Sequence, residues 1–220
     1  MSSAMQQSQT TPNARRADVL KASPRMFESD LLDKLSRVHP SVPVIIFVPA
    51  IIAMAVLGVD RVGPLATLAY ILGGYLVWTL TEYWLHRIVF HFEPDAPIGK
   101  RLHWIIHGVH HDHPNDPMRL VMPPSVSVPL SLLFYGLFSL TLGADAAPAL
   151  GAGFFAGYLF YDMTHYYVHH HRPKSWAGKK LRELHMRHHF QDHTTGYGVS
   201  APWLDHVFGT APRVRKPPGD

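Results

Sequence analysis

The chain has 220 residues, of which 47% are hydrophobic and 16% charged, and it carries a formal charge of +4. The charged share lies far below the roughly 25% usual in soluble domains, so much of the chain must face something other than water. It holds no cysteine, which excludes disulfides and thiolate ligands and leaves nitrogen and oxygen as the main metal donors.

Residues 1–22 are rich in Ser, Gln, Thr and Asn and lack the apolar region of a cleaved signal peptide, which predicts a disordered tail. Residues 23–220 read as a single membrane domain. Within 23–42, Met26, Phe27, Leu31, Leu32, Leu35 and Val38 recur at three- and four-residue spacing opposite Glu28, Asp30, Asp33, Lys34 and Arg37. That pattern predicts an amphipathic helix, lying on the membrane surface or packed on the body of the protein.

Four apolar stretches follow, at Pro43 to Val59, Pro64 to Thr81, Val126 to Leu142 and Pro148 to Tyr161. Each is near the roughly 17 to 25 residues of a spanning helix or slightly short of it. The short links Asp60 to Gly63 and Gly143 to Ala147 predict two helical hairpins, 43–82 and 126–166, each followed by a histidine-bearing segment, 83–125 and 167–220. Of the 20 Lys and Arg only Arg61 falls at a hairpin tip; the rest collect at the opposite end, which the positive-inside rule places in the cytosol. The basic surplus thus follows the membrane and predicts no nucleic-acid partner. The expected fold is an all-α integral membrane protein with four transmembrane helices in two hairpins and a cytosolic helical cap holding a histidine-ligated dimetal centre. That membrane would be the bacterial inner membrane, or the endoplasmic reticulum in a eukaryote.

The histidines carry the chemistry. They fall as His86-x4-His91, His107-x2-His110-His111, His165-x3-His169 and His185-x2-His188-His189, the first and third sets lying just beyond apolar helices. On a helix, residues three and four apart share a face, so each triplet can converge, as can His165 and His169. His86 and His91, five apart, are offset by about 140° on an ideal helix. They serve one metal only if the helix ends or bends between them; otherwise they reach two metals, which suits a dinuclear site better. Ten imidazoles exceed the four ligands of a structural zinc site, so two metals are the natural count. An all-imidazole shell brings no negative charge, which makes Glu82, Asp112, Asp162 and Asp192 candidate acceptors for the outward ring N–H groups. The other histidines, His39, His103, His113, His170, His171, His193 and His206, read as structural or surface residues.

The ordered clusters resemble the signature of the membrane-bound fatty acid hydroxylase superfamily, over about Pro24 to Thr210. The stretches Glu82-Tyr-Trp-Leu-His-Arg87, His107-Gly-Val-His-His111, Arg119-Leu-Val-Met-Pro-Pro124, Tyr161-Asp-Met-Thr-His165, Gly196-Tyr-Gly-Val-Ser200 and Trp203-Leu-Asp-His-Val-Phe-Gly-Thr210 are similar to fatty acid 2-hydroxylases that act on sphingolipid acyl chains. The resemblance implies metal-ligand roles for His86, His91, His107, His110, His111, His165, His169, His185, His188 and His189. It implies a tuning or orienting role at the catalytic centre for Tyr161 and Asp162, with an interfacial anchor as the competing role for Tyr161. Tyr197 and Trp203 are candidates to line the acyl entrance, or are membrane-interface anchors.

Side-chain acid–base chemistry cannot hydroxylate an unactivated C–H bond, so a redox cofactor is required. The resemblance implies two iron ions, which zinc can replace in purified protein because imidazole accepts it as readily. Dioxygen, two electrons and two protons would then exchange a hydrogen on carbon 2 of an acyl chain for a hydroxyl. Many relatives carry an N-terminal domain resembling a b-type cytochrome. Nothing before Pro24 is long enough for one, so electrons are expected from a separate carrier such as a b-type cytochrome or ferredoxin. Sterol or carotenoid hydroxylation and acyl desaturation are other reactions of the superfamily. A histidine-rich metal transporter or zinc-stabilised scaffold is the reading from another class, though few polar residues between Pro43 and Thr81 or between Val126 and Tyr161 could make a transport path.

Overall fold

The structure, a computed structural model, describes residues 15–212 and contains helices and no strand among them. Its body is built from α3 (Ser41–Val62), α4 (Pro64–Trp84) and the long α7 (Pro124–His170). These are the three helices long and apolar enough to cross a membrane, α4 counted with the helical turn that continues it to Phe90. α7 is not one rod: at Gly143 the backbone takes φ 82°, ψ 163°, nearly the φ 81°, ψ 163° of Gly63 between α3 and α4. Both values lie where a Cβ is strained, so the same glycine turn reverses the chain twice. The second reversal folds α7 into arms 124–142 and 144–170, which bring the Phe134 and Phe154 rings to 4.7 Å.

The sequence predicted a link from Gly143 to Ala147, yet the second arm is already helical at 144. Pro148 has no N–H to give the Ala144 carbonyl, which would leave that oxygen unpaired. Arg61 fills the gap by donating Nη1 to Ala144 O at 2.7 Å, and so ties one hairpin tip to the other.

The hairpins pack through close backbone approach and an aromatic core. A Cβ on Gly153 would stand 1.9 Å from Ile71 O, and one on Gly74 would stand 2.0 Å from Leu150 O. Small residues of this kind let membrane helices come together where lipid removes the hydrophobic drive between them. Below that contact Trp78 is wedged among Phe154, Tyr158 and Tyr161, with ring centroids 5.1, 5.3 and 5.8 Å away. The outer faces are apolar and bare, with Leu65 81% and Leu140 87% exposed. A surface of that kind belongs against lipid.

At the end opposite the tips lie a π-helical turn Leu85–Phe90, α5 (Pro97–His103), a second π turn Trp104–Gly108, α6 (Val109–Asp112), α8 (Trp176–Phe190) and α9 (Trp203–Val207). An N-terminal strap with α1 (Arg16–Lys21) and α2 (Asp30–Leu35) crosses this end. Of the tail expected over 1–22, residues 1–14 lie outside the described part, and Arg16–Lys21 is helical instead. Tertiary bonds account for that order: Asn115 N donates to Leu20 O at 3.0 Å and His113 Nδ1 to Val19 O at 2.6 Å.

The helix expected from Met26 to Val38 shortens to Asp30–Leu35. Asp33 accepts from Met26 N at 2.7 Å and Arg25 Nε donates to Phe27 O at 2.7 Å, local bonds that compete with a longer helix. Leu31, Leu32 and Leu35 point outward, while Asp33 meets the buried Arg119 side chain at 2.9 Å. The apolar face of α2 therefore turns away from the protein.

Candidate metal centre

The ten clustered histidines all lie on the elements at the base of the hairpins, and they form two groups of five. His86, His91, His107, His111 and His188 make one; His110, His165, His169, His185 and His189 make the other. In each group one ligand atom per residue can be chosen so that all five lie within 4.8 Å of one another. The seven remaining histidines join neither group.

Local backbone explains the sorting and corrects two expectations. His86 and His91 do not bridge the groups; they belong to the same one. Leu85–Phe90 is π-helical, and His91 N donates to His86 O at 3.2 Å, an i→i+5 bond that stacks residues five apart. The histidine triplets, in turn, do not converge on single points. His107 and His111 go to the first group and His110 to the second, whereas His185 and His189 go to the second and His188 to the first. Residues four apart share a face, but adjacent residues diverge by about 100° at 3.6 residues per turn. His110 and His111 therefore look in different directions, as do His188 and His189.

Within the first group the Nε2 atoms face one another: His86 to His107 and to His91 at 3.2 Å each, His91 to His188 at 3.0 Å and His107 to His111 at 3.0 Å. His86 Nδ1 lies 2.7 Å from Tyr197 O and His188 Nδ1 lies 2.7 Å from Thr195 O. A carbonyl only accepts, so both Nδ1 atoms carry the hydrogen and both Nε2 lone pairs point inward. In the second group His169 Nε2 faces His185 Nε2 at 2.8 Å and His189 Nε2 faces it at 3.2 Å. There His110 Nε2 and His165 Nε2 are buried without a hydrogen-bond partner among the described residues. Converging lone pairs and orphaned ring nitrogens repel or cost free energy unless a cation accepts them, so the donor set fits a metal ion in each group.

Protonation points the same way. Burial, followed by the neighbouring imidazoles, holds His107, His185 and His189 well below the ordinary 6.5 and lowers His110 to about 3, while burial, opposed by the hydrogen bond to Thr195, lowers His188 to about 4. The rings are thus neutral at physiological pH, the form that binds metals.

No carboxylate takes the outward N–H groups of His86 and His188, as the sequence reading proposed for Glu82, Asp112, Asp162 and Asp192; backbone carbonyls do. Glu82 accepts Ser200 N at 2.8 Å, Asp112 accepts Trp104 Nε1 at 2.9 Å, and Asp192 accepts Thr194 N at 3.0 Å. Asp162 accepts Met122 N and Tyr158 Oη, each at 3.3 Å, and so braces the start of α7 against its end. A side-chain acceptor can be sought by residue type, but a carbonyl is present at every residue, so Tyr197 O and Thr195 O left no sequence signal.

Tyr161 stacks on His165 with centroids 5.7 Å apart, against the second group. Tyr197 packs edge-on to His86 and His91 at 5.7 and 5.5 Å. Trp203, at the start of α9, is half exposed.

Glycine-turned hairpins with bare apolar flanks, joined at one end by two five-imidazole groups, define an integral membrane protein with paired polyhistidine sites. The chain belongs to the fatty acid hydroxylase family, whose profile matches residues 71–210. A dihydroceramide fatty acyl 2-hydroxylase of Arabidopsis thaliana is 38% identical over 198 residues, covering 87% of this chain and 81% of that protein. The fatty acid 2-hydroxylase of Rattus norvegicus is 34% identical over 209 residues, covering 84% of this chain and 56% of that protein. Among solved structures, full-length scs7p, of which only the hydroxylase domain is visible, superposes with a TM-score of 0.79 at 34% identity, over 83% of this chain and 70% of that one.

Proposed function

We propose that this chain is a dioxygen-dependent fatty acid 2-hydroxylase that acts on the acyl chains of fatty acids or of sphingolipids such as ceramides. One observation carries the reading: ten converging imidazoles, seven buried and three half-buried, divided five and five, in a chain whose relatives are named as fatty acyl and ceramide hydroxylases. His86, His91, His107, His111 and His188 would hold one iron, and His110, His165, His169, His185 and His189 the other. Bound iron supplies the redox capacity to activate dioxygen, which no side chain here possesses.

The protein's own part is placement. Both α7 arms and α4 are read as membrane spans together with α3, giving four crossings, with the histidine groups on the cytosolic side by the distribution of Lys and Arg. The acyl tail then lies at membrane depth and its carboxyl-derived head at the interface, which sets carbon 2 beside the histidines. A small, mainly apolar pocket lined by Trp78, Leu85, Met122, Leu130, Phe134 and Phe155 lies between α4 and the two α7 arms and marks where the acyl chain would approach. Tyr161, stacked on His165, and Asp162, which ties Met122 to Tyr158, position the second group against that cavity. Tyr197 and Trp203 are assigned to the acyl approach from the loop side. Electrons are assigned to a carrier such as a b-type cytochrome or ferredoxin.

The test is expression in a host lacking 2-hydroxy lipids, with lipid mass spectrometry alongside metal analysis of the purified chain. The expected result is 2-hydroxy acyl lipid that disappears on chelation and returns with iron but not with zinc. A modified sterol or carotenoid without any 2-hydroxy acyl chain would overturn the substrate, and metal flux in proteoliposomes without an oxygen-dependent product would overturn the reaction.

A further inference from the structure

The segment from Thr195 to Thr210 meets the first histidine group through the Tyr197 ring and, with hydrogen bonds, through its backbone. The peptide joining Tyr197 to Gly198 offers its carbonyl to His86 Nδ1 at 2.7 Å, while its N–H donates to Asp205 Oδ2 at 3.0 Å. Asp205 Oδ1 accepts Tyr197 N at 2.8 Å and Thr210 Oγ1 at 2.8 Å. The residue is 2% exposed, and burial raises its pKa, but the backbone N–H groups of Tyr197 and Gly198 and the Thr210 hydroxyl oppose that rise and favour the ionised carboxylate. The adjacent relay is similar. The peptide joining Thr195 to Gly196 gives its carbonyl to His188 Nδ1 at 2.7 Å, its N–H donates to Thr210 O at 2.8 Å, and Thr210 N donates to Asp205 O at 2.7 Å.

The chain of donors extends outward. Thr210 gives its hydroxyl hydrogen to Asp205, so Tyr83 Oη, 2.8 Å from Thr210 Oγ1, is the donor there, and Arg87 Nη1 donates to Tyr83 Oη at 3.0 Å. Glu82 pins the far end of the loop through Ser200 N and Ser200 Oγ. All donors run in one direction, from Arg87 to Asp205, and such chains polarise one another. The second group has nothing comparable: the Nδ1 atoms of His169, His185 and His189 are buried without a hydrogen-bond partner among the described residues.

We propose that the two histidine sites are inequivalent, and that Asp205 is the positioning residue that makes them so, acting on His86 through the Tyr197–Gly198 peptide. Metal-bound histidines commonly donate their outer N–H to a carboxylate, which fixes the tautomer and makes the ring a better ligand. Here a peptide group is interposed: the carboxylate polarises its N–H, the carbonyl becomes a stronger acceptor, and His86 Nε2 becomes more basic. The first site therefore holds its iron more tightly than the second. This inference rests on the reading that each group holds iron.

The experiment uses the full chain in detergent, loaded anaerobically with ⁵⁷Fe(II), and follows release to an excess of chelator together with the Mössbauer spectrum. The wild type should hold one iron per group, show two quadrupole doublets, and release iron in a fast and a slow phase. His169→Ala should remove the fast phase and His188→Ala the slow one. Asp205→Asn should accelerate the slow phase roughly 10- to 100-fold, the usual cost of losing an outer partner of a metal-binding histidine, and shift one doublet only. Should Asp205→Asn not fold, Thr210→Val removes one donor to the same carboxylate and should accelerate the slow phase less, while Thr210→Ser, which keeps the hydroxyl, restores it. A single release phase in a doubly loaded wild type, or Asp205→Asn and Thr210→Val changes that fall on both doublets, on the fast phase or on neither, would overturn the inference alone. A wild type that takes up no iron would overturn the metal-centre reading and this inference with it.

Discussion

Replacing Gly153 by Ala probes the contact that holds the two hairpins in register, and its cost can be worked from the geometry. The new Cβ would lie 1.9 Å from Ile71 O, and the obstacle is backbone, which no rotamer change can move. Carbon and carbonyl oxygen settle near 3.3 Å, so α4 and the second arm of α7 must part by about 1.4 Å. Sliding does not relieve this, because Gly74 meets Leu150 O just as closely on the same interface. Overpacking of this kind costs about 1–3 kcal/mol, and an unyielding obstacle belongs at the upper end. The gain in helix propensity from Gly to Ala returns about 1 kcal/mol, leaving a net loss of about 2 kcal/mol. For a chain of this size that lowers the melting temperature by roughly 4–8 °C.

Gly136→Ala is the matched control, since nothing lies within 4 Å of its Cβ. It should raise the melting temperature by roughly 2–4 °C through propensity alone. Thermal unfolding in detergent, with iron content measured on the same samples, reads both. Because α4 leads directly into the turn bearing His86 and α7 bears His165, the destabilised variant should also hold less iron. A Gly153→Ala variant that melts at or above the wild type, or a Gly136→Ala variant that falls as far, would refute the reasoning.

Three further outcomes are expected. His110→Ala and His188→Ala should each abolish hydroxylation and halve the bound iron, since one belongs to each group; metal analysis and product assay check this, and full activity in either contradicts the shared centre. The metal-free protein should lose stability as pH falls from 6.5 towards 4, because the unfolded chain protonates imidazoles that the fold holds at about 4 for His188 and about 3 for His91 and His110; melting curves across that window should fall, not rise. Arg119→Ala removes the tie between α2 and the segment before α7 while Asp33 keeps Arg37 at 3.2 Å, so the loss should be that of one charged hydrogen bond, about 1.5–3 kcal/mol, and limited proteolysis should cut between Lys21 and Arg37 faster than in the wild type.

The sequence itself carried the ten histidines, the two hairpins and the basic end of the molecule, because each leaves a periodic or compositional trace. Helical spacing announced that His107 and His111, or His185 and His189, share a face. Two local signals were present but ambiguous. The five-residue step from His86 to His91 could not reveal a π turn, since i→i+4 and i→i+5 bonding use the same residues, and only packing decides between them. The amphipathic pattern around Leu31 did not say whether its apolar side packs on the protein, and the Asp33–Arg119 pair turns that side outward.

Tertiary structure alone decided the assignment of rings to groups and the source of their outer partners. Adjacent histidines such as His110 and His111 diverge on their helix, and which group each joins depends on the neighbours brought up by α7 and α8. The acceptors for His86 and His188 are main-chain carbonyls on a loop more than a hundred residues beyond α4, held there by Asp205. Every residue owns a carbonyl, so composition and spacing cannot single one out. It becomes an acceptor for a particular ring only when the chain folds back and a carboxylate fixes the peptide in place.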